Sequence, residues 1–187
     1  RSSEKFKNYK IIVLGHSLGA FMMPKIANSV SFDKAVMMAG NARNLQDVII
    51  DQYVYLNSLN PTKEGENEIA TIKKEVSFLT SNKFNTTLSS DELPLGLSAK
   101  YWQSLLNYKP LVEVKKVSVP LLILNGERDY QVTMKEFNLW KKTLGKTKTQ
   151  FISYPKLNHL FISGEGTPSP EEYSVKGKVD QKVIQDI

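Results

Sequence analysis

A serine between two glycines stands near the start of this chain of 187 residues, in the run Gly15-His16-Ser17-Leu18-Gly19. The pattern G-x-S-x-G has mechanical meaning between a strand and a helix, where the turn strains the serine and exposes its hydroxyl. Such a hydroxyl attacks an acyl carbon when a base removes its proton. The backbone N–H of Leu18, at the start of the following helix, would donate to the developing oxyanion. We therefore predict Ser17 as a nucleophile and Leu18 as an oxyanion donor.

The base for a serine nucleophile is usually a histidine, and the chain has two. His16 precedes the serine on the turn and is expected to point away from the reacting face, which leaves His159. His159 ends the run Tyr154-Pro155-Lys156-Leu157-Asn158-His159, after a predicted strand, where sites in open α/β sheets collect. A lone loop histidine is commonly only packed, and it is the presence of Ser17 that favours His159 as the base.

A carboxylate must hold the histidine in the correct tautomer and stabilise its charged form. The run Asn125-Gly126-Glu127-Arg128-Asp129 follows another predicted strand and supplies Asp129, with Glu127 as the alternative. A surface turn also uses Asp without any catalytic part. The agreement of three placements after three strands favours a triad of Ser17, Asp129 and His159.

The elements that must position these residues are read from apolar runs and helical spacing. Strands are predicted at residues 10–14, 35–39, 119–124 and 149–154, the first of them buried on both faces. Helices are predicted at residues 18–29, at 134–144, and from Val179 onward, where Val179, Val183, Ile184 and Ile187 share a face. Pro24 is expected to kink the first of these helices or to loosen its first turns. This alternation predicts an α/β fold: a parallel sheet of about four strands flanked by helices.

Residues 41–109 interrupt that alternation, because they contain helical stripes and no convincing strand. We predict that they form a helical cap or lid insertion. The core would then comprise residues 1–40 and 110–187.

Charge and hydropathy exclude several other functions. The net charge is +6, but the lysines are dispersed among acidic residues, which is typical of a solvating surface and argues against nucleic-acid binding. No apolar run approaches the roughly 20 residues that a membrane span needs. The chemistry of a serine triad requires no metal or organic cofactor. Localisation stays open, cytoplasmic or exported.

The motifs together resemble the C-terminal half of an α/β-hydrolase-fold serine hydrolase, in which the triad runs in the order Ser, Asp, His. The resemblance is carried by residues 11–19, 119–132 and 154–161, and is strongest to bacterial hydrolases of the dienelactone-hydrolase-like and prolyl-oligopeptidase-like branch. It implies attack by Ser17 on an acyl carbonyl, proton transfer by His159, orientation by Asp129, and an acyl-enzyme hydrolysed by water.

The chain also departs from the pattern of that family, whose members usually have eight strands with the serine turn after the fifth. The resemblance implies that the first four strands are absent, together with the loop that supplies a second oxyanion donor. The first strand should then expose an edge. We expect this edge to pair with another copy or with an upstream fragment, and the isolated chain to have little activity.

Three functions remain open at this point. The leading hypothesis is cleavage of carboxylic esters of a small-molecule acyl substrate. Acyl-peptide or thioester cleavage would use the same residues, and a non-catalytic binding module or inactive fragment could keep the fold. Neither the substrate nor its acyl-chain length is specified by the motifs.

Overall fold

The computed structural model of the chain describes residues 4–187. Backbone contacts divide it into two compact units, one reaching to Ala42 and resuming over Pro110–Ile187, the other Arg43–Lys109. The strands are β1 (Ile12–His16), β2 (Lys34–Met38), β3 (Leu121–Gly126) and β4 (Gln150–Tyr154). The helices are α1 (Leu18–Ala27), α2 (Leu45–Leu59), α3 (Lys63–Leu79), α4 (Ala99–Leu106), α5 (Pro110–Glu113), α6 (Met134–Leu144) and α7 (Gln181–Asp186). Short 3-10 turns lie at Glu4–Phe6, Ser90–Glu92, Pro94–Gly96, Val114–Lys116 and Pro170–Ser174.

The sheet of the first unit is parallel throughout, with the strands in the order β1-β2-β3-β4. Parallel strands require crossover connections, and the helices that supply them flank the sheet. The predicted α/β class, with a four-stranded parallel sheet flanked by helices, is therefore confirmed. Because all the strands point the same way, the loops after β1, β3 and β4 emerge at one edge.

Both faces of the central strands are buried, because alternate residues point to opposite sides. On one face, Met37 and Ile123 pack in a cluster with Trp140 of α6. The indole Nε1 of Trp140 donates to the Gly40 carbonyl at 2.7 Å, which satisfies the buried polar end of that ring. On the other face, Leu122 and Leu124 pack in a cluster that includes Val183 of α7.

The prediction that the first strand is buried on both faces is wrong. Val13 packs against the core, but Ile12 is 51% exposed and Leu14 is 49% exposed. Within the described residues β1 pairs with β2 alone, so its other edge has no partner strand. An apolar run cannot distinguish an edge strand from a central one, since both carry β-branched residues.

Pro24 is buried inside α1, which continues past it to Ala27. The expected common face near the C-terminus is wrong, since Val183 is fully buried while Ile184 is 56% exposed. The reason is that α7 begins only after Asp180, whose side chain accepts from the N–H of Lys182, so Val179 lies outside the helix.

The second unit, Arg43–Lys109, is built from α2, α3 and α4. Side chains at helical spacing on α3 are buried, namely Ile72, Val76 and Leu79. Thr62 caps α3 by accepting from the N–H of Gly65. No helix of the described residues is long and apolar enough to span a membrane.

Candidate functional site

Ser17 occupies the turn between β1 and α1, with φ of 53° and ψ of −117°. A positive φ in a residue other than glycine costs about 1–3 kcal/mol, so the surroundings must hold it. The N–H of Ser17 donates to the Met38 carbonyl at 2.8 Å, and its own carbonyl accepts from Phe21 at 2.9 Å. Strand pairing on one side and the first helical turn on the other therefore hold Ser17 in its strained conformation.

The two glycines of the motif contribute unequally. A Cβ atom on Gly15 would lie 2.5 Å from the carbonyl oxygen of Gly19 and 2.8 Å from the nitrogen of Ala20. Only glycine therefore allows the end of β1 to approach the first turn of α1 this closely. A Cβ on Gly19 would meet no described atom within 4 Å, so the close approach requires glycine at Gly15 and not at Gly19.

Leu18 is the first residue of α1, directly after Ser17. The N–H groups of a first helical turn have no carbonyl partner within the helix, and the helix dipole makes that end positive. The Leu18 N–H therefore has the chemistry expected of an oxyanion donor, and its side chain is 42% exposed.

Asp129 and His159 are in direct contact. His159 Nδ1 lies 2.7 Å from Asp129 Oδ2, and both residues are buried, at 5% and 3% exposure. The other carboxylate oxygen, Oδ1, accepts from the N–H groups of Gln131 at 2.9 Å and Val132 at 2.8 Å. These hydrogen bonds compensate the burial of the carboxylate. They also fix its orientation toward the imidazole.

The alternative carboxylate, Glu127, faces elsewhere. Its Oε1 accepts from the hydroxyl of Ser153 on β4 at 2.7 Å, and the residue is exposed. The structure thus brings Asp129 to His159 and places Glu127 on the sheet surface.

The loops that carry Asp129 and His159 are joined by backbone contacts. The N–H of Arg128 donates to the Leu157 carbonyl at 3.1 Å, and a Cβ on Gly126 would overlap that same carbonyl. Asn125 is buried and donates from Nδ2 to the Val132 carbonyl at 3.0 Å, which closes the Asp129 loop. Asn125 and Gly126 therefore shape the Asp129 loop and its close approach to the His159 loop.

His16 lies beside His159, so the expectation that it points away is wrong. Its Nε2 lies 2.8 Å from the main-chain carbonyl oxygen of His159, and the two rings are 4.8 Å apart between centroids. A carbonyl oxygen only accepts, so Nε2 of His16 carries the proton. The His16 ring also meets Phe161 edge-on at 6.2 Å. The turn that holds Ser17 is thereby attached to the loop that holds His159.

Tyr173 lies against the Asp129 loop from a further segment of the chain. Gln131 Nε2 donates to its hydroxyl oxygen at 2.9 Å, and its ring stacks on Tyr130 at 5.8 Å. Burial raises the pKa of the Tyr173 phenol, and the hydrogen bond from Gln131 acts in the opposite direction. The phenol therefore stays neutral around pH 7.

Among residues 4–187, no three His, Asp or Glu side chains are grouped as a metal site requires. The acidic and imidazole groups of the site are instead used in the contacts described above.

Comparison with known proteins places the chain beside a bacterial esterase. No protein-family model matches it. The protein named Esterase EstD of Thermotoga maritima is 39% identical over 179 residues, which cover 95% of this chain and 42% of the relative. The chain thus spans less than half the length of that relative.

Solved structures with similar folds have low sequence identity. The Pyrococcus horikoshii acylaminoacyl peptidase is 17% identical, with a TM-score of 0.47 over 82% of this chain and 20% of its own. The esterase domain of a Rhodothermus marinus protein is 13% identical, with a TM-score of 0.49 over 79% of this chain and 52% of its own.

The similarity to the Thermotoga maritima esterase extends along nearly the whole chain. The parallel sheet and the strained serine turn between β1 and α1 agree with that similarity. The predicted resemblance to α/β-hydrolase-fold enzymes is therefore confirmed by the similarity to this esterase.

Proposed function

We propose that this chain carries the nucleophile, base and acid of a serine hydrolase that cleaves carboxylic esters. The observation that carries the proposal is the buried 2.7 Å contact between His159 Nδ1 and Asp129 Oδ2, at the sheet edge where the Ser17 turn also lies. The esterase of Thermotoga maritima supports an ester rather than an amide as substrate.

The proposed reaction proceeds through a covalent intermediate. His159 Nε2 takes the Ser17 proton while the serine oxygen bonds to the acyl carbon, and the same nitrogen then protonates the departing alkoxide. Water, deprotonated by His159, hydrolyses the acyl-enzyme and releases the acid. Asp129 Oδ2 keeps the proton of His159 on Nδ1, which leaves Nε2 free to act as the base.

The oxyanion is stabilised in this proposal by the N–H of Leu18. Removing one of two such donors typically costs about 10²–10³ in rate, so a chain that supplies only Leu18 would be a weak catalyst.

The unit Arg43–Lys109 is proposed to act as a cap, because it is a separately compact helical unit inserted between β2 and β3. Insertions that restrict access are commonly placed at such points, since loops at the carboxyl edge of a parallel sheet surround its site. Deleting it would be expected to change the chain-length preference for esters more than the labelling of Ser17.

For partners, we propose that the 187-residue chain by itself self-associates through the free edge of β1. The support is the exposure of Ile12 and Leu14 beside an edge that has no partner strand among the described residues. Unpaired edge strands with apolar side chains favour pairing with another copy.

The experiment that tests the enzyme proposal is fluorophosphonate labelling of the full-length protein. We expect a single labelled serine, loss of label in Ser17→Ala, and a large fall in labelling rate in His159→Ala. Ser29→Ala is the matched control, because Ser29 is exposed and its hydroxyl bonds only locally, to the Lys25 carbonyl. Failure of the folded protein to take up label would leave a non-catalytic module as the function.

Substrate class is tested separately with p-nitrophenyl esters of increasing acyl length, thioesters and aminoacyl p-nitroanilides. Preferential turnover of the oxygen esters is expected. Faster turnover of the anilides or thioesters would assign the same triad to acyl-peptide or thioester cleavage.

A further inference from the structure

Two neighbours of the catalytic pair meet at a single carboxylate. Arg128 precedes Asp129 and Asn158 precedes His159. Arg128 Nη2 contacts Glu172 Oε1, and Asn158 Nδ2 donates to Glu172 Oε2 at 3.2 Å. Each oxygen of Glu172 therefore binds the residue before one member of the pair.

The Asn158 side chain organises the turn that carries His159. Its Oδ1 accepts from the N–H groups of Leu160 at 3.0 Å and Ile162 at 3.2 Å. Because its oxygen is used inside the turn, its Nδ2 is directed outward to Glu172. The orientation of this amide, and with it the shape of the His159 turn, therefore depends on an acceptor at Glu172.

The Arg128 side chain makes the corresponding contacts beside Asp129. Its guanidinium donates to the carbonyls of Gly166 at 2.7 Å and Glu165 at 3.0 Å, in addition to its contact with Glu172. The two charged side chains are only 13% and 14% exposed. Removing one partner of such a buried pair leaves the other charge uncompensated, which is far more costly than losing a surface pair.

The absence of a side chain at Gly164 leaves space for the Glu172 carboxylate. A Cβ on Gly164 would lie 2.6 Å from Glu172 Oε1, so a larger residue there would displace the carboxylate. The next residue, Tyr173, accepts from Gln131 on the far side of Asp129. The short turn Pro170–Ser174 therefore contacts the chain on both sides of the aspartate.

We propose that Glu172 is a positioning residue, which holds Asp129 and His159 at hydrogen-bonding distance through Arg128 and Asn158. The proposal rests on the proposed function, in which that pair activates Ser17. In this proposal Glu172 acts through its contacts with Arg128 and Asn158 and not on the substrate or the reacting atoms. Its effect is on the geometry of the imidazole, and small displacements of a catalytic group can cost about 10²-fold in rate.

The test uses a proton resonance as well as turnover. The proton between His159 Nδ1 and Asp129 Oδ2 is expected far downfield in the proton NMR spectrum of the full-length protein, and observing it requires no catalysis. We expect Glu172→Ala to broaden or abolish this resonance and to lower kcat by about 10²-fold, with KM changed less than about threefold. The matched control is Glu171→Ala, in the same turn, which should retain both the resonance and kcat.

A reciprocal exchange separates positioning from general stability. Glu172→Gln keeps an acceptor for Arg128 but presents an amide to the Asn158 amide, so an intermediate loss is expected. The double variant Asn158→Asp/Glu172→Gln restores a donor–acceptor pair and the total charge, and should recover the resonance and most of kcat. This rescue remains informative even if Glu172→Ala does not fold.

The proposal is overturned if Glu172→Ala keeps the downfield resonance and kcat within about twofold of Glu171→Ala, or if the double variant is no better than Glu172→Gln. A different result would contradict the proposed function. If Ser17→Ala retains full turnover while Glu172→Ala still loses the resonance, the positioning role stands and the triad does not.

Discussion

His16 donates a hydrogen bond from Nε2 to the main-chain carbonyl of His159, 2.8 Å away, so the residue before the proposed nucleophile holds the proposed base. Replacing His16 with Phe keeps a ring against Phe161 but leaves the carbonyl without its donor. We expect the free energy of unfolding to fall by about 1 kcal/mol and kcat to fall with it. His16→Gln, which retains a donor, should lose less. Urea denaturation and ester hydrolysis measure the two effects, and equal behaviour of both variants would contradict the prediction.

The glycines of the serine turn should respond in opposite ways. Gly15→Ala places a methyl group against the Gly19 carbonyl, and we expect a loss of about 1–3 kcal/mol together with loss of Ser17 labelling. Gly19→Ala meets open space in the first turn of α1 and should be neutral or stabilise by about 0.5 kcal/mol. Thermal unfolding of the two variants checks this, and comparable destabilisation by both would be inconsistent with the geometry.

Asp129→Asn should separate folding from catalysis. The remaining carbonyl oxygen can still accept from Gln131 and Val132, so stability should change little, but the new amide presents a donor to His159 Nδ1 and favours the wrong tautomer. We expect kcat to fall by about 10⁴-fold. Glu127→Gln is the control, since Glu127 contacts Ser153 instead, and should stay within about twofold of the parent. A similar fall in kcat in Glu127→Gln would indicate that Glu127 takes part in catalysis and would contradict the assignment of Asp129 alone.

Stability at alkaline pH should depend on Tyr154. Burial raises the pKa of its phenol above the usual value, and the hydrogen bond that it donates to Asp186 Oδ2 at 2.9 Å acts in the same direction. The folded chain thus retains the proton more tightly than the unfolded chain. The protonated Tyr154 phenol contributes its full share of folding stability below the unfolded-state pKa of about 10, and this contribution is lost as pH rises above that value. Unfolding free energies measured between about pH 8 and 11 should therefore fall less steeply in Tyr154→Phe. The prediction would be wrong if the unfolding free energies of the parent and of Tyr154→Phe fell equally steeply with pH.

The free edge of β1 predicts association of the 187-residue chain. Leu14→Lys should raise the dimer dissociation constant at least about tenfold in sedimentation equilibrium, because a charge on the exposed face opposes pairing. Val112→Lys on α5 is the control, since Val112 is also exposed but is not part of β1. A parent chain that stays monomeric at high concentration would contradict the proposed pairing.

Sequence patterns predicted those parts of the fold that depend on local spacing. The helix at residues 134–144 agrees with α6 because Phe137, Trp140 and Leu144 bury one helical face. The first strand lies two residues later than predicted, at Ile12–His16, since backbone pairing of Gly15 and His16 with β2 leaves no apolar signature.

The same distinction between local spacing and long-range contacts applies to the candidate site. Strand ends and residue types were enough to predict that Asp129 and His159 come together. The contacts of His16 with His159 and of Glu172 with Asn158 depend on loop conformations and on residues distant in sequence. Nothing in their spacing distinguishes them from ordinary surface residues.

The insertion of Arg43–Lys109 also has a consequence for synthesis on the ribosome. β2 ends at Met38 and its neighbour β3 begins at Leu121, so about 80 residues must be translated before the two can pair. At a synthesis rate of roughly 5–20 residues per second, β1 and β2 are exposed for about 4–16 s before β3 is available for pairing. During that interval the apolar edge of β2 is available to chaperones and to other nascent chains. A shorter connection would hasten closure of the sheet, and slow translation through the insertion would favour aggregation.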